Sequence, residues 1–290
     1  MKTRTTIGIL GIGAIGTVIS YHLQRNSQHE LYYFSRTKKS HLNLIIENTP
    51  IEIPVGIQTK ISTKKTLDWL IICLKEHQYL EAKHWFSMLI TSKTQIVIIR
   101  NGLHLKTPLL DFTSGNKILE CLIDCPTQLS KTGFYQCPNM PILTVAESAL
   151  GMYFKSLFNT TNININQVKD FKTESWKKLC ESATLGAILC LHNDTCRIFK
   201  TKQLQDQYRN LMNESLQVAR ADGAIIESNF VEKMLAKLMH YPETKGSSML
   251  ADLRNKKPIE LGAKNGMISL LGKYYNLDTP INDLIIRKLS

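Results

Sequence analysis

Three glycines, Gly11, Gly13 and Gly16, stand in the spacing G-x-G-x-x-G at the end of the apolar run that begins near Thr6. An amphipathic pattern follows, so the stretch reads as a strand, a tight turn and the start of a helix. In that setting each glycine has its own task. Gly11 permits the bend, Gly13 lets the backbone approach a pyrophosphate, and Gly16 lets the helix pack close to the strand, with the anion at the helix N-terminus. The candidate cofactor contacts are then Gly11, Ile12, Gly13, Ala14, Ile15 and Gly16, against the alternative of an ordinary turn. The second apolar run ends in Ser35-Arg36-Thr37-Lys38-Lys39, with no carboxylate. An acid there would accept from a ribose 2′-hydroxyl, whereas Ser35 and Arg36 donate to a 2′-phosphate. The expected cofactor is therefore NADP(H), and the alternative is a solvated Arg36.

A second set of residues suits proton transfer. On a helix, Trp176, Leu179, Cys180, Ala183 and Ala187 form one apolar stripe, while Lys178, Ser182, Leu185 and Leu189 stack on the opposite side. A helix apolar on two faces does not lie on a surface. It is expected to line a cleft, with Lys178 and Ser182 facing the cavity. Hydride delivery to a ketone creates an alkoxide, and a positioned ammonium can both neutralise that charge and donate a proton. Lys177 lies next door, so which of the two lysines is solvated stays open. Ser248 could equally cap the helix that begins at Met249, Glu260 could complement a helix dipole after Pro258, and Lys75 could be a base at a strand end.

The elements that must hold these residues follow from periodicity. Short apolar runs (Thr6 to Leu10, Leu31 to Phe34, Trp69 to Leu74, Gln95 to Ile99, Ile118 to Ile123) alternate with helical patterns at 14–26 and 77–90. That alternation predicts a parallel sheet covered on both faces. Beyond about Leu150 helical periodicity takes over; Tyr208, Leu211, Met212, Leu216 and Ala219 mark a helix face that stops at Asp222-Gly223. The expected architecture is α/β: a Rossmann-type dinucleotide-binding domain over 1–168, then an all-helical domain over 169–290. The join is expected within Asn159 to Asn166, where Asn and Thr replace apolar density.

Composition narrows the classes. The net charge of +12 is spread over both halves, without the concentrated basic face that nucleic acid requires, and fits a basic enzyme with small anionic substrates. Seven cysteines without a C-x-x-C pair, most within or beside apolar runs, read as buried thiols of a reducing compartment. No stretch approaches a membrane span, and glycines interrupt the first apolar run as they would not in a signal peptide. A cytoplasmic protein with no metal is expected, as a monomer or homodimer.

Four further motifs complete a resemblance. Ile72-Cys73-Leu74-Lys75, Asn101-Gly102, Trp176-Lys177-Lys178-Leu179, and Ser247-Ser248-Met249-Leu250-Ala251-Asp252 followed by Glu260 and Asn265-Gly266 occur in an order and spacing that resembles the ketopantoate reductase (2-dehydropantoate 2-reductase) family over nearly the whole chain. The segment Leu277 to Asn282 is similar to the family's late turn. The resemblance implies an N-terminal Rossmann domain and a helical domain like that of 6-phosphogluconate dehydrogenase. It implies NADPH-dependent reduction of ketopantoate to pantoate, a step toward pantothenate and coenzyme A. Lys75 and Asn101 would line the cofactor and nicotinamide side, Lys178 would be the general acid, and Ser248 would hold the substrate carboxylate. Glu260 would orient Lys178 or a ribose hydroxyl.

Ser182 and Gly186 stand where the family usually carries asparagines on the substrate side, with Ser182 and Asn101 left as candidate substrate contacts. Two alternatives follow: a reductase of another small 2-oxo acid, and a non-catalytic NADP(H)-binding regulator. The joint presence of Lys178, Ser248 and Glu260 argues against the regulator, which needs no proton donor.

Overall fold

The computed structural model describes residues 4–290, and the chain divides into two compact units. One runs to Arg100 and resumes at His104–Phe171; the other comprises Asn101–Leu103 and Lys172–Ser290.

The first unit begins with β1 (Thr5–Leu10), α1 (Ala14–Leu23) and β2 (His29–Phe34), followed by β3 (His41–Ile46), β4 (Thr49–Pro54) and β5 (Ile57–Gln58). It continues with β6 (Trp69–Ile72), α2 (Lys83–Leu89), β7 (Gln95–Ile99) and β8 (Ile118–Asp124). β9 (Gln128–Leu129), β10 (Tyr135–Cys137), β11 (Ile142–Ala146), α3 (Ala149–Ser156) and β12 (Asn164–Val168) complete it. The main sheet has the order β12-β11-β8-β7-β6-β1-β2-β5. β1, β6, β7 and β8 bury Ile, Leu or Val on both faces (Ile7, Ile71, Val97 and Leu119 in one cluster, Leu10, Leu70, Ile96 and Ile118 in the other), as a covered parallel sheet requires.

Three expectations are corrected. The sheet is not wholly parallel, because β11 runs antiparallel to β8. In β11, buried Leu143 and Val145 alternate with more exposed Ile142 and Thr144, the one-sided pattern that suits an antiparallel addition. The stretch 159–166 is not a join: Asn164 and Asn166 are exposed positions of β12, whose Ile165 is buried along β11. The asparagines mark the wet face of an edge strand. The helix expected over 77–90 is a 3₁₀ turn at Glu76–Gln78 and then α2.

A second sheet, ordered β4-β3-β10-β9, has no counterpart in the sequence reading. Its β3–β4 hairpin turns at Glu47 and Asn48, both at positive φ (49° and 62°), the backbone that a two-residue hairpin of the primed type demands.

The second unit contains α4 (Phe171–His192), α5 (Lys202–Ala221), α6 (Phe230–Met239), α7 (Ser248–Arg254), α8 (Met267–Tyr274) and α9 (Pro280–Leu289). α5 stops where expected, before Gly223 at φ +90°. Its core gathers Trp176, Leu179 and Ala183 of α4, Leu211 and Leu216 of α5, Met249 of α7 and Ile268 of α8, together with Leu103. α4 is buried on most of its circumference, as its two apolar faces predicted. Among the described residues no helix is long and apolar enough to cross a membrane.

Candidate active site

In the first unit the glycine turn joins β1 to α1. Gly11 has φ +96°, and a Cβ there would lie 2.8 Å from the Cys73 carbonyl oxygen. A Cβ on Gly16 would sit 2.1 Å from the Gly11 carbonyl oxygen, so the close packing of α1 on the turn needs a hydrogen at that position. Gly13 differs. It is the N-cap of α1 with φ −89°, and a Cβ there would meet nothing within 4 Å. The bend and the packing therefore explain Gly11 and Gly16, and the protein's own atoms do not explain Gly13. No side chain caps α1 and no acid stands in its first turn, leaving its N-terminus suited to an anion. Open room at Gly13 beside such a terminus fits a dinucleotide phosphate. Within the turn Ile12 is buried, and Ala14 and Ile15 are half-buried.

The segment Ile72–Lys75 leaves β6 beside this turn. β1 and β6 pair with Leu10 opposite Ile72, and the Cys73 N–H donates to the Leu10 carbonyl at 2.8 Å. Lys75 is half-buried, and its N–H donates to the Gln78 side chain at 2.9 Å. Arg36 forms an exposed ion pair with Glu81. The base that touches the turn is Lys39, whose Nζ donates to the Ile12 carbonyl at 3.4 Å. Sequence reading named Arg36 from the end of β2 and missed Lys39, because the hydrophilic run Ser35–Lys39 gives no sign of which residue folds back.

In the second unit the start of α4 is pinned by Asp222. The buried Trp176 indole donates to one carboxylate oxygen at 2.7 Å, and the Tyr275 hydroxyl donates to the other at 2.7 Å. This anchor sets the direction of the two lysines that follow. Lys177 lies 3.2 Å from Glu174 and 3.6 Å from Glu227. Burial works to lower the Lys177 pKa, but these two carboxylates outweigh it and raise it. Lys178 is half-buried.

Around Lys178 the structure reveals a residue that sequence reading missed. Lys264 is 1 % exposed, within a π-helical turn over Gly262–Gly266 whose Gly266 N–H donates to the Leu261 carbonyl at 2.9 Å. Burial pushes its ammonium below the ordinary lysine range, Glu260, Cys190 and Asp252 oppose that shift, and Lys178 adds to it by like charge. Lys178 and buried Glu260 are thus brought into one charged neighbourhood. A π turn is often a functional feature, yet nothing in the spacing of Gly-Ala-Lys-Asn-Gly signals it.

Asn265 and the late turn have a structural explanation. The Asn265 side-chain amide donates to Asn282 Oδ1 at 2.8 Å, and Asn282 donates through its backbone and side chain to Glu214 Oε1, both at 2.8 Å. This buried chain ties the π turn to α5 and α9. Ser248 is exposed at the first position of α7, and the capping role is taken by Ser247, whose hydroxyl accepts the Leu250 N–H at 3.1 Å. Ser182 Oγ donates back to the Leu179 carbonyl at 3.3 Å. A side chain at Gly186 would meet Met249 Sδ at 2.7 Å, so the thioether fills the space an asparagine would need. Asn101, half-buried, follows β7 and precedes Gly102 at φ +116°.

Comparison with known proteins agrees with this anatomy. Residues 7–141 match the family described as ketopantoate reductase PanE/ApbA, and residues 170–290 match its C-terminal domain. The 2-dehydropantoate 2-reductase of Caulobacter vibrioides is 25% identical over 286 residues, covering 99% of this chain and 98% of that one. That of Mycobacterium tuberculosis is 24% identical over 288 residues, covering 99% and 97%. A solved dimeric ketopantoate reductase from Staphylococcus aureus superposes with a TM-score of 0.87 at 24% identity, covering 98% and 97%. D-mandelate dehydrogenase in complex with NADH and anilino(oxo)acetate gives a TM-score of 0.86 at 19% identity, again covering 98% and 97%.

A glycine-turn α/β unit followed by a helical unit with a charged lysine–carboxylate cluster places the chain among the oxidoreductases that act on a CH–OH group. It belongs to the ketopantoate reductase family.

Proposed function

We propose that the chain reduces a small 2-oxo acid with NADPH, ketopantoate (2-dehydropantoate) being the leading substrate and pantoate, a precursor of pantothenate and coenzyme A, the product. Residues 1–168 serve as the dinucleotide-binding domain and 169–290 as the catalytic domain of a cytoplasmic enzyme, monomeric or homodimeric, with no metal in its chemistry. The observation that carries the reading is the gathering of Lys178 and buried Glu260 about Lys264 in a chain matched to this family across both units.

The dinucleotide, when bound, supplies a hydride to the ketone carbon. The amides that open α1 hold its diphosphate, Arg36 pairs with the 2′-phosphate, and Lys75 and Asn101 line the nicotinamide side. Lys178 neutralises the developing alkoxide and gives it a proton from Nζ, a task suited to an ammonium kept near other charges. Glu260 orients that ammonium or a ribose hydroxyl. Ser248, exposed and relieved of capping by Ser247, donates its hydroxyl to the substrate carboxylate.

A second reading, reduction of a 2-oxo acid without ketopantoate's terminal hydroxyl, is favoured by one observation. Ser182 turns its hydroxyl onto its own helix and Met249 fills the space beside Gly186, which leaves fewer polar groups for that hydroxyl. A missing buried partner costs about 1–3 kcal/mol. NADPH oxidation measured against ketopantoate, ketoisovalerate and related acids decides between the two. Turnover of ketopantoate with a preference below about a hundredfold, roughly 2.7 kcal/mol, is expected, and Lys178→Ala should lower kcat by about 10²-fold or more where Lys177→Ala is mild. No turnover of any acid by NADPH-loaded protein would point to the regulator instead, and a mild Lys178→Ala beside a severe Lys177→Ala would move the proton donor by one residue.

A further inference from the structure

Two cysteines that the proposed chemistry does not use face each other in the first unit. Cys125 directly follows β8 of the main sheet, and Cys137 ends β10 of the small sheet. Their Sγ atoms lie 3.5 Å apart. Cys137 is 3 % exposed, whereas Cys125 is partly open to solvent. Two polar contacts flank the pair, Thr127 Oγ1 at 3.1 Å from Cys125 Sγ and the Asn139 carbonyl at 3.1 Å from Cys137 Sγ, while Cys137 lies in the apolar cluster of this unit and Cys125 packs against it. A disulfide needs a separation of about 2.05 Å, so the closing movement is about an ångström and a half, within reach of side-chain rotation in the loop that follows β8. Of the other five cysteines, Cys121, Cys180, Cys190 and Cys196 are buried and Cys73 is half-buried.

We propose that Cys125 and Cys137 form a reversible redox dithiol, oxidised to an internal disulfide by a low-molecular-weight disulfide such as oxidised glutathione. Cys125, the accessible thiol, loses its proton and attacks one sulfur of the reagent; a Cys125–reagent mixed disulfide forms as the first reagent thiol leaves. Cys137 then loses its proton and attacks Cys125 Sγ, the internal S–S bond forms, and the second reagent thiol leaves. The protein gives up two electrons and two protons, and the reagent disulfide becomes two thiols. The product would tie the carboxyl end of β8, a strand of the sheet that also carries the glycine turn, to the edge of β10.

The test is incubation of the whole reduced chain with oxidised glutathione at mildly alkaline pH, acid quenching, alkylation of the remaining thiols and peptide mass analysis. The expected result is that the seven thiols fall to five. The two lost should appear as one cross-linked Cys125–Cys137 peptide pair lacking two hydrogens, restored by dithiothreitol. Cys125→Ser and Cys137→Ala should each abolish the cross-link, the former leaving Cys137 unmodified and the latter leaving a stable glutathione adduct on Cys125. Retention of all seven thiols by the wild type, a wild-type product that stops at the adduct, or a cross-link between other cysteines would each overturn the proposal. Near-ultraviolet circular dichroism of the reduced variants checks that they are folded; if one is not, the other variant and the wild-type peptide map still decide.

Discussion

Arg36 and Glu81 hold each other on the surface, both side chains more than half exposed, and an ion pair so placed contributes only about 0–1 kcal/mol. On the proposed reading a 2′-phosphate would therefore displace Glu81 at little cost, and the charge-assisted hydrogen bond accepted from Arg36 would be worth about 1.5–3 kcal/mol. Arg36→Ala should weaken NADPH binding by that amount and leave NADH unchanged, while Glu81→Gln should leave the melting temperature alone and tighten NADPH. Fluorescence titration with both cofactors measures this. Equal wild-type affinities, or a silent Arg36→Ala, would shift the role to Lys39, which reaches the Ile12 carbonyl. What could be read from sequence at this scale was residue type at a motif position: the glycines, Arg36, Lys178. Partners were beyond reach. Lys264 becomes notable only when a π turn buries it beside Glu260, and Gly186 only when Met249 is found in the space beside it.

At the scale of elements, the β1–turn–α1 unit was legible because the strand, the glycine spacing and the helical pattern follow one another within a short stretch of chain. The same unit separates a structural from a binding role. Gly16→Ala forces a Cβ to 2.1 Å from the Gly11 carbonyl oxygen and should cost about 1–3 kcal/mol of stability or more. Gly13→Ala enters open room at an extended backbone angle. It should unfold within about 0.5 kcal/mol of the wild type, yet lose at least about tenfold in dinucleotide affinity, roughly 1.4 kcal/mol. Paired urea unfolding and cofactor titration check both arms, and a Gly13→Ala variant with full affinity would remove the diphosphate from this turn. The small sheet was illegible for the opposite reason. β3 and β4 turn at Glu-Asn, not at the Asn-Gly that advertises such a hairpin, and β10 joins β3 from about ninety residues further along the chain. Pairing at that distance leaves no periodic trace.

For the molecule as a whole, the clearest pH dependence comes from a histidine in the core. His22, in the last turn of α1, is 3 % exposed, and neither ring nitrogen has a hydrogen-bond partner. Burial, with a smaller contribution from Arg25, lowers its pKa from 6.5 to about 4. The unfolded chain therefore takes up the proton first. The stability this histidine allows is complete above pH 6.5 and is lost as the pH falls toward about 4, a loss of about 3 kcal/mol. Urea unfolding at neutral pH and near pH 4 should show the wild type losing that much more than His22→Leu; equal losses in the two proteins would contradict the assignment. The division into an α/β and a helical half was legible here because strand and helix periods differ. The course of the chain between them was not.

That course has a consequence for inheritance. Asn101–Leu103 is counted with the helical unit, and Leu103 lies in its core, although residues on either side belong to the other unit. A recombination event at Lys172 that imported a foreign helical half would bring in a core shaped around a different residue at the position of Leu103. Gene shuffling among relatives thus succeeds most readily when two crossovers are made, or when the tripeptide's packing happens to agree. Specificity in this chain is accordingly expected to drift by point substitution more readily than by wholesale exchange of domains.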